Sequence, residues 1–364
     1  LEQLKRYSRL EWITWPFHQK KVEFEFMAIS FVVGIVFFVS LALTSGLRRY
    51  ALTRSLMDVP NARSSHSVPT PRGGGVAIVL GFLAVLPILA FLGGLSWTFT
   101  WALLGTGAGI ALLGFLDDHG HIAARWRLLG HFLGACWALF WLGGLPALEM
   151  FGFVLDLGWL GHVLAAIYLV WMLNLYNFMD GIDGIASVEA ICACLGACLL
   201  YWLGGFENLI LAPLVLAMAV AGFLYWNFPP ARIFMGDAGS GFLGIILGLL
   251  SLQAAWSSPK LLWVWLILLG VFIVDATATL LRRLLRGDKV YEAHRSHAYQ
   301  FASRHYGRHL PVTLAVSAIN LFWLLPLAAC VVLWNMDGAL ALILAYVPLL
   351  VLAIRFHAGE LEKA

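Results

Sequence analysis

The chain has 364 residues, of which 61% are hydrophobic and only 12% charged. A soluble domain carries about 25% charged residues, so this composition excludes an ordinary water-soluble enzyme and gives no case for a nucleic-acid partner. The formal net charge of +3 decides little by itself; its distribution along the chain decides more.

Residues 1–26 are charged and aromatic. They lack the basic-then-apolar order of a signal peptide and read as an extension ahead of a natural start at Met27, with an interfacial amphipathic helix as the alternative. From there, apolar runs fall at 27–47, 75–95, 98–116, 128–145, 158–178, 185–204, 208–227, 240–256, 260–281, 311–333 and 338–355. Each approaches the roughly 20 residues a helix needs to cross a bilayer. The expected fold is therefore all-α and polytopic, one membrane domain over 27–364 with eleven transmembrane helices. The turns at 204–208 and 256–260 are short enough to make their flanking helices antiparallel neighbours, and 146–157 suits a small hairpin. The five cysteines, Cys136, Cys192, Cys194, Cys198 and Cys330, all lie in apolar runs without a CxxC pair. They read as small packing residues rather than a disulfide framework or metal site.

Basic residues orient the spans. Arg48, Arg49, Arg54, Arg63 and Arg72 follow the first span; Arg125 and Arg127 follow the third; Arg232 follows the seventh. Arg282, Arg283, Arg286, Lys289, Arg295, Arg304 and Arg308 follow the ninth, and Arg355 and Lys363 follow the last. Beyond residue 26 the opposite side has only Lys260. All basic segments thus follow odd-numbered spans, which puts them and the C-terminus in the cytoplasm.

The same parity gathers the unusual polar residues. Loop 48–74 joins arginines to consecutive glycines, which suits an anionic ligand at the membrane edge as well as a plain connector. Asp117-Asp118 closes the third span; a single acid there would be a wet helix end, and for the pair metal or proton chemistry stands beside that reading as an equal alternative. Asn174, Asn177, Asp180 and Asp183 recur every third residue, so neighbours share one helical surface. With Gly181 and Gly184 they supply oxygen ligands for Mg²⁺ and acceptors for a nucleobase or sugar. Polar packing between helices is the plain alternative. Gly236-Asp237-Ala238-Gly239-Ser240-Gly241 enters the eighth span. Asp237 there is either a helix cap or a second hard carboxylate beside Asn177 or Asp180, and the turn offers backbone N–H groups to phosphate. His294-Arg295-Ser296-His297 suits phosphate binding or proton handling, against a basic loop touching anionic lipid.

Together these motifs resemble the polyprenyl-phosphate N-acetylhexosamine-1-phosphate transferase superfamily from Met27 to about Phe356. Five occur in the family's order: Pro69-Thr70-Pro71-Arg72-Gly73-Gly74, Asp117-Asp118, Asn177 to Gly184, Gly236 to Ser240, and His294 to His297. The pattern is closer to the O-antigen-initiating branch than to the muramoyl-pentapeptide branch, whose consecutive histidines are lacking.

The resemblance implies transfer of a sugar-1-phosphate from a UDP-N-acetylhexosamine, 6-deoxy sugars included, to undecaprenyl phosphate. It implies Asn177 and Asp237 as holders of Mg²⁺, with Mn²⁺ as substitute, and Asp117, Asp118 and Asp180 as catalytic acids. Phe234 and Asp183 match positions near uracil. His294, Arg295 and His297 match the loop at the sugar-phosphate end, and Arg72, Arg127, Asn174 and Phe178 complete the substrate-binding set. The implied setting is the inner membrane with its site in the cytoplasm, in contact with membrane lipid; the oligomeric state is left open, a homodimer included. One departure stands out. The family often has a Lys-Leu-Leu-x-Gln-like run where this chain has Arg127-Leu128-Leu129-Gly130-His131. A cation is kept, but with a different donor geometry. An ion-coupled transporter, the competing class, would place its acids near the bilayer midplane.

Overall fold

In the computed structural model, residues 2–60, 65–66, 68–120, 122–288 and 294–361 are described, with side chains from residue 28 onward. Arg63, Lys289 and Lys363 therefore lie outside the described residues, as do the side chains of residues 1–27. The chain folds as helices α1 (Glu2–Thr53), α2 (Val76–Phe91), α3 (Trp97–Gly120), α4 (Ala124–Leu142), α5 (Trp159–Met179), α6 (Ile185–Gly204) and α7 (Leu211–Asn227). There follow α8 (Asp237–Ser257), α9 (Lys260–Leu268), α10 (Gly270–Leu285), α11 (Ala298–Tyr306), α12 (Leu310–Ile319), α13 (Leu325–Leu333) and α14 (Gly338–Arg355). Two short antiparallel ribbons complete it, β1 (Met57–Asp58) with β2 (Thr70–Pro71) and β3 (Leu148–Met150) with β4 (Phe153–Leu155).

The expected all-α, multi-pass architecture is what the chain adopts, and the small hairpin is the β3–β4 ribbon. Each of the eleven apolar runs falls on helix. Among the described residues, eight helices are long and apolar enough to cross a membrane. A ninth span results if α9 and α10, which meet at a bend of 75°, are taken together. The remaining two runs are α2, with 16 residues, and α4, whose first half carries Arg125, Arg127 and His131. The α12–α13 run is continuous but passes through a π-helical turn at Asn320–Leu324.

Helix α8 is the axis of the bundle. Its residues from Ala238 to Leu252 are buried without a break, as expected for a helix apolar on all sides. Glycines let its neighbours approach. A Cβ at Gly75 would stand 2.5 Å from Gly239 Cα, and one at Gly244 would stand 2.4 Å from the Met172 carbonyl oxygen. The cysteines are all free thiols.

Five segments meet at one end: the loops after α1, α3, α5 and α7, and the stretch from the end of α10 to the start of α12. The strand-like stretch 71–75 is bonded to 234–235 through Phe234 N–H to Pro71 O (2.8 Å), Gly74 N–H to Phe234 O and Gly75 N–H to Met235 O (both 2.9 Å). Arg48 donates to the Arg232 carbonyl, and both guanidinium groups lie over the Trp226 indole. The opposite end holds the β3–β4 hairpin and the Lys260–Asn335 hydrogen bond.

Candidate active site

Two cavities open at the five-segment end. The larger, about 490 Å³, is lined by Asp58, Ser65, His66 and Arg72 from the loop after α1, and by Asp118 from α3. Asn177, Asp180 and Asp183 reach it from the end of α5 and its following turn, Phe234 and Asp237 from the entry to α8, and Gln300 and His309 from the α11–α12 region. The smaller, about 190 Å³, is lined by Asp117, Arg127, His131, Asn174 and Phe178 together with apolar Ile110, Leu113, Leu128 and Leu173. Asn177 and Asp237 line both and form the wall between them.

That wall is tightly built. Asn177 Nδ2 donates to Asp237 Oδ1 and to Ser240 Oγ, each at 2.9 Å. Asp237 is the first residue of α8, with Gly236 at the N-cap at a positive φ of 77°. Asp237 is therefore not the helix cap, and its carboxylate is turned to Asn177. The glycine-rich turn packs on Gly75 rather than standing open, so the expected phosphate cradle of backbone N–H groups is partly filled by protein.

The adjacent acids divide. Asp118 Oδ2 accepts from Ala238 N–H at 3.4 Å, and its carbonyl accepts from Arg72. Asp117 turns to the smaller cavity, where Arg127 Nη1 lies 2.5 Å from Oδ2 and Ile122 N–H donates to Oδ1 at 2.7 Å. Arg127 therefore faces an acid at the edge of an apolar pocket. Asn174 Nδ2 donates to the Val170 carbonyl at 2.7 Å, leaving its oxygen for the pocket.

Asp180 caps the C-terminus of α5. Burial, followed by the charges of Asp237, Asp118 and Asp183, pushes its carboxyl well above the ordinary range. Of the carboxylates around this cavity, Asp118, Asp180, Asp183 and Asp237 thus repel one another, and a cation would relieve them. Asp183 is held differently. Its Oδ2 accepts from Ala231 N–H at 2.9 Å, and its Oδ1 lies 3.0 Å from His309 Nδ1.

His294, Arg295 and His297 line neither cavity. His297 is 2% exposed and stands at the N-terminus of α11, its N–H donating to Gln300 Oε1 at 3.2 Å. Its Nδ1 lies 3.3 Å from Asp275 Oδ1. Asp275 also accepts from Ala298 N–H at 2.9 Å and Tyr299 N–H at 3.0 Å. A buried acid from α10 thus satisfies the first orphan donors of α11, and His297 completes that junction. His294 stacks on His297 with ring centroids 4.9 Å apart. Burial, then His297 and Arg283, pull it down to about 3. The carbonyl of Arg295 accepts from Arg304 at 3.2 Å. The loop therefore holds α11 in place, and α11 delivers Gln300 to the cavity and Tyr299 to the backbone of Phe178 (3.0 Å).

Four residues escaped the sequence reading: Gln300, His309, His131 and Asp275. His131 lines the smaller cavity with its buried Nδ1 lacking a partner. Asp275 was detectable, since an acid inside an apolar span is expensive and needs a reason. Glu189 carried the same signal; it is wholly buried in α6 and bonded to Asn320 at 2.6 Å.

Fold and site together define a multi-pass membrane protein with two dissimilar cavities divided by a wall of Asn177 and Asp237. Residues 100–255 match the profile of glycosyl transferase family 4. The "Probable undecaprenyl-phosphate N-acetylglucosaminyl 1-phosphate transferase" of Bacillus subtilis (strain 168) is similar, 31% identical over 283 residues, covering 75% of this chain and 76% of its own length. A phospho-N-acetylmuramoyl-pentapeptide-transferase of Geobacillus kaustophilus (strain HTA426) is 32% identical over 270 residues, 70% of this chain and 81% of that protein. A decaprenyl-phosphate N-acetylglucosaminephosphotransferase of Mycolicibacterium smegmatis (strain ATCC 700084 / mc(2)155) is 29% identical over 295 residues, 69% and 71% respectively. The chain belongs to glycosyl transferase family 4.

Proposed function

We propose that this protein transfers N-acetylhexosamine-1-phosphate from a UDP-sugar to undecaprenyl phosphate, giving undecaprenyl-diphospho-sugar and UMP. The reaction takes place at the cytoplasmic face of the inner membrane and initiates O-antigen or a related envelope polysaccharide. The observation that carries the reading is the pair of cavities meeting at Asn177 and Asp237. In-line displacement at phosphorus needs the attacking and leaving oxygens on opposite sides. A roomy polar cavity suits a nucleotide diphosphate, and a small half-apolar one with an arginine suits a lipid phosphate.

The acceptor needs little activation, since a phosphate monoester has a second pKa of about 6 and is mostly dianionic at neutral pH. One of its oxygens attacks the β-phosphorus, and the bond from that phosphorus to the bridging oxygen breaks, releasing UMP. Arg127, oriented by Asp117, holds the acceptor. Arg72 binds the diphosphate. The residues fit Mg²⁺, which takes few protein oxygens beside substrate phosphates: Asp237 and Asn177 present hard oxygens, and Asp118, Asp180 and Asp237 crowd one another in the same cavity. Bound there, Mg²⁺ would neutralise the diphosphate. Among the described residues no ready cage of three or more His, Cys, Asp or Glu side chains exists, in keeping with a site completed by substrate.

The test is transfer of label from a panel of radiolabelled UDP-N-acetylhexosamines to undecaprenyl phosphate by the purified full chain in detergent. Lipid-linked label and equimolar UMP are expected. Neither product with any sugar would overturn the reading.

A further inference from the structure

We propose that His309 is a positioning residue for the nucleotide end of the larger cavity, tying the Asp183 carboxylate to the loop that follows α1. The proposal rests on the transfer reaction proposed above.

His309 stands just before α12 and lines the cavity. Its Nδ1 lies 3.0 Å from Asp183 Oδ1, and its Nε2 lies 2.9 Å from the Ser65 carbonyl oxygen. The Ser65 carbonyl is an acceptor, so Nε2 must bring a hydrogen, while Nδ1 stands between the Asp183 N–H and the Asp183 carboxylate. A neutral imidazole has one such hydrogen; an imidazolium has two. The Asp183 N–H also approaches Nδ1, but at 3.3 Å, longer than the carboxylate contact. A neutral ring with its hydrogen on Nε2 satisfies both hydrogen bonds, and protonation adds the ion pair with the Asp183 carboxylate. Burial opposes the charge, but the hydrogen bond to Asp183 and its charge outweigh burial, with the Ser65 carbonyl adding to them, and the net shift is upward.

The tie joins three segments that are distant in sequence. Asp183 is further held by Ala231 N–H at 2.9 Å, and its carbonyl accepts from Thr313 Oγ1, one turn into α12, at 2.9 Å. Ser65 precedes His66, whose ring packs edge-on against Phe234 with centroids 4.8 Å apart. Ser65, His66, Phe234 and Asp183 all line the same cavity. Cutting the tie at His309 releases the Ser65–His66 lip on one side and leaves Asp183 unbalanced on the other. A plain surface ion pair would not do this, because it would not join two walls of a ligand cavity.

The consequence is a pH-dependent nucleotide affinity. The other charged or titratable groups facing this cavity are Asp58, His66 and Arg72 from the loop after α1, Asp118 from α3, Asp180 and Asp183 after α5, and Asp237 from α8. Of these, Asp183 is the group in contact with His309. Since the folded-state pKa of His309 is raised, the tie is complete below the unfolded value of about 6.5, and its ion pair is lost as pH rises through the raised value.

Two substitutions separate the contacts. His309→Ala removes both. His309→Asn keeps an N–H near the Nδ1 position, and so the Asp183 contact, but loses the Ser65 contact and the charge. For His309→Ala, the KM for the UDP-sugar should rise at least about tenfold, with kcat and the acceptor KM changed by less than about threefold. For His309→Asn, the rise should be smaller, and the alkaline increase in UDP-sugar KM seen in the native chain should disappear. Hydrogen exchange on the full chain without substrate should show faster exchange of the Ser65, His66, Val68, Thr70 and Arg72 amides in both variants. A native UDP-sugar KM and pH profile with unchanged exchange in His309→Asn would overturn the proposal, whether or not His309→Ala folds. If the native chain transfers no sugar phosphate, the proposed reaction fails, and the exchange measurement alone decides the tie.

Discussion

Arg127 and Arg72 should have opposite kinetic signatures, because they face different cavities. Arg127 Nη1 lies 2.5 Å from Asp117 Oδ2, with Arg127 38% and Asp117 10% exposed. More than a third of the arginine is solvated, so the pair contributes at most about 1 kcal/mol to stability, and Arg127→Ala should still fold. Its proposed role, a charge-assisted bond to the acceptor phosphate, is worth about 1.5–3 kcal/mol. At about 1.36 kcal/mol per decade, that is a loss of roughly 10- to 150-fold in kcat/KM for the lipid. The assay measures initial rates in detergent, varying the acceptor at saturating UDP-sugar and then the reverse. Arg127→Ala should lower kcat/KM for the acceptor by that factor and leave the UDP-sugar KM unchanged. Arg127→Lys should recover part of the loss, since it keeps the charge but not the fork. Arg72→Ala should do the opposite, raising the KM for the UDP-sugar. If both variants damage both substrates equally, the assignment of one cavity to each substrate is wrong.

Asp237→Asn should retain the Asn177 contact and the fold but lose turnover by at least about a hundredfold, and native transfer that persists in EDTA would remove the metal assignment. At Gly181, an added Cβ would stand 2.1 Å from Tyr299 Oη. Gly181→Ala should therefore cost about 1–3 kcal/mol by overpacking, read as a lower melting temperature, and Tyr299→Phe should restore part of it by removing the clashing oxygen. Glu189 Oε1 and Asn320 Oδ1 are buried without partners. In Glu189→Gln an amide can pair reciprocally with Asn320, so the melting temperature should hold, whereas Glu189→Ala should cost about 1–3 kcal/mol by stranding the asparagine.

Helix positions were legible because apolar runs of bilayer length leave little choice of structure. Acids and amides spaced by three marked the end of α5, but they do not share one helical surface: α5 stops at Met179, Asn174 faces the smaller cavity, and Asp180 and Asp183 face the larger from beyond the helix. The 75° bend between α9 and α10 was not legible, since Leu269 and Gly270 sit within an unbroken apolar stretch. The role of the histidine loop was not legible either. Its rare residues resemble ligand chemistry, but His297 pairs with Asp275, 22 residues earlier in the sequence and inside a span, and His294 with Ser296. Once Asp275 is placed, the Nδ1 of His297 belongs to a helix junction, while its buried Nε2 has no hydrogen-bond partner. His309 lacked any motif in the sequence reading. Only the meeting of the α1 loop, the α5 turn and the start of α12 in space gives it two partners.

The separation of Asp117 and Asp118 follows from helix geometry. Neighbouring residues on an α-helix point about 100° apart, so an acid pair at a helix end that two cavities flank can serve both. In the sequence the pair reads as one feature; in the structure Asp117 belongs with Arg127 and Asp118 with the entry to α8. Thermodynamic coupling to Arg127 tests this. Residues in contact couple by about 0.5–3 kcal/mol, while those without shared partners add. Asp117→Asn and Arg127→Ala should therefore be strongly non-additive in kcat/KM for the acceptor, because each removes the same oriented contact. Asp118→Asn should combine with Arg127→Ala as a simple product, because its carboxylate faces the other side of the Asn177–Asp237 wall. Asp118→Asn alone should raise the UDP-sugar KM. Strong coupling of Arg127 to Asp118, with none to Asp117, would mean that the two acids act as one group at a single phosphate, and the division of the site would fall with it.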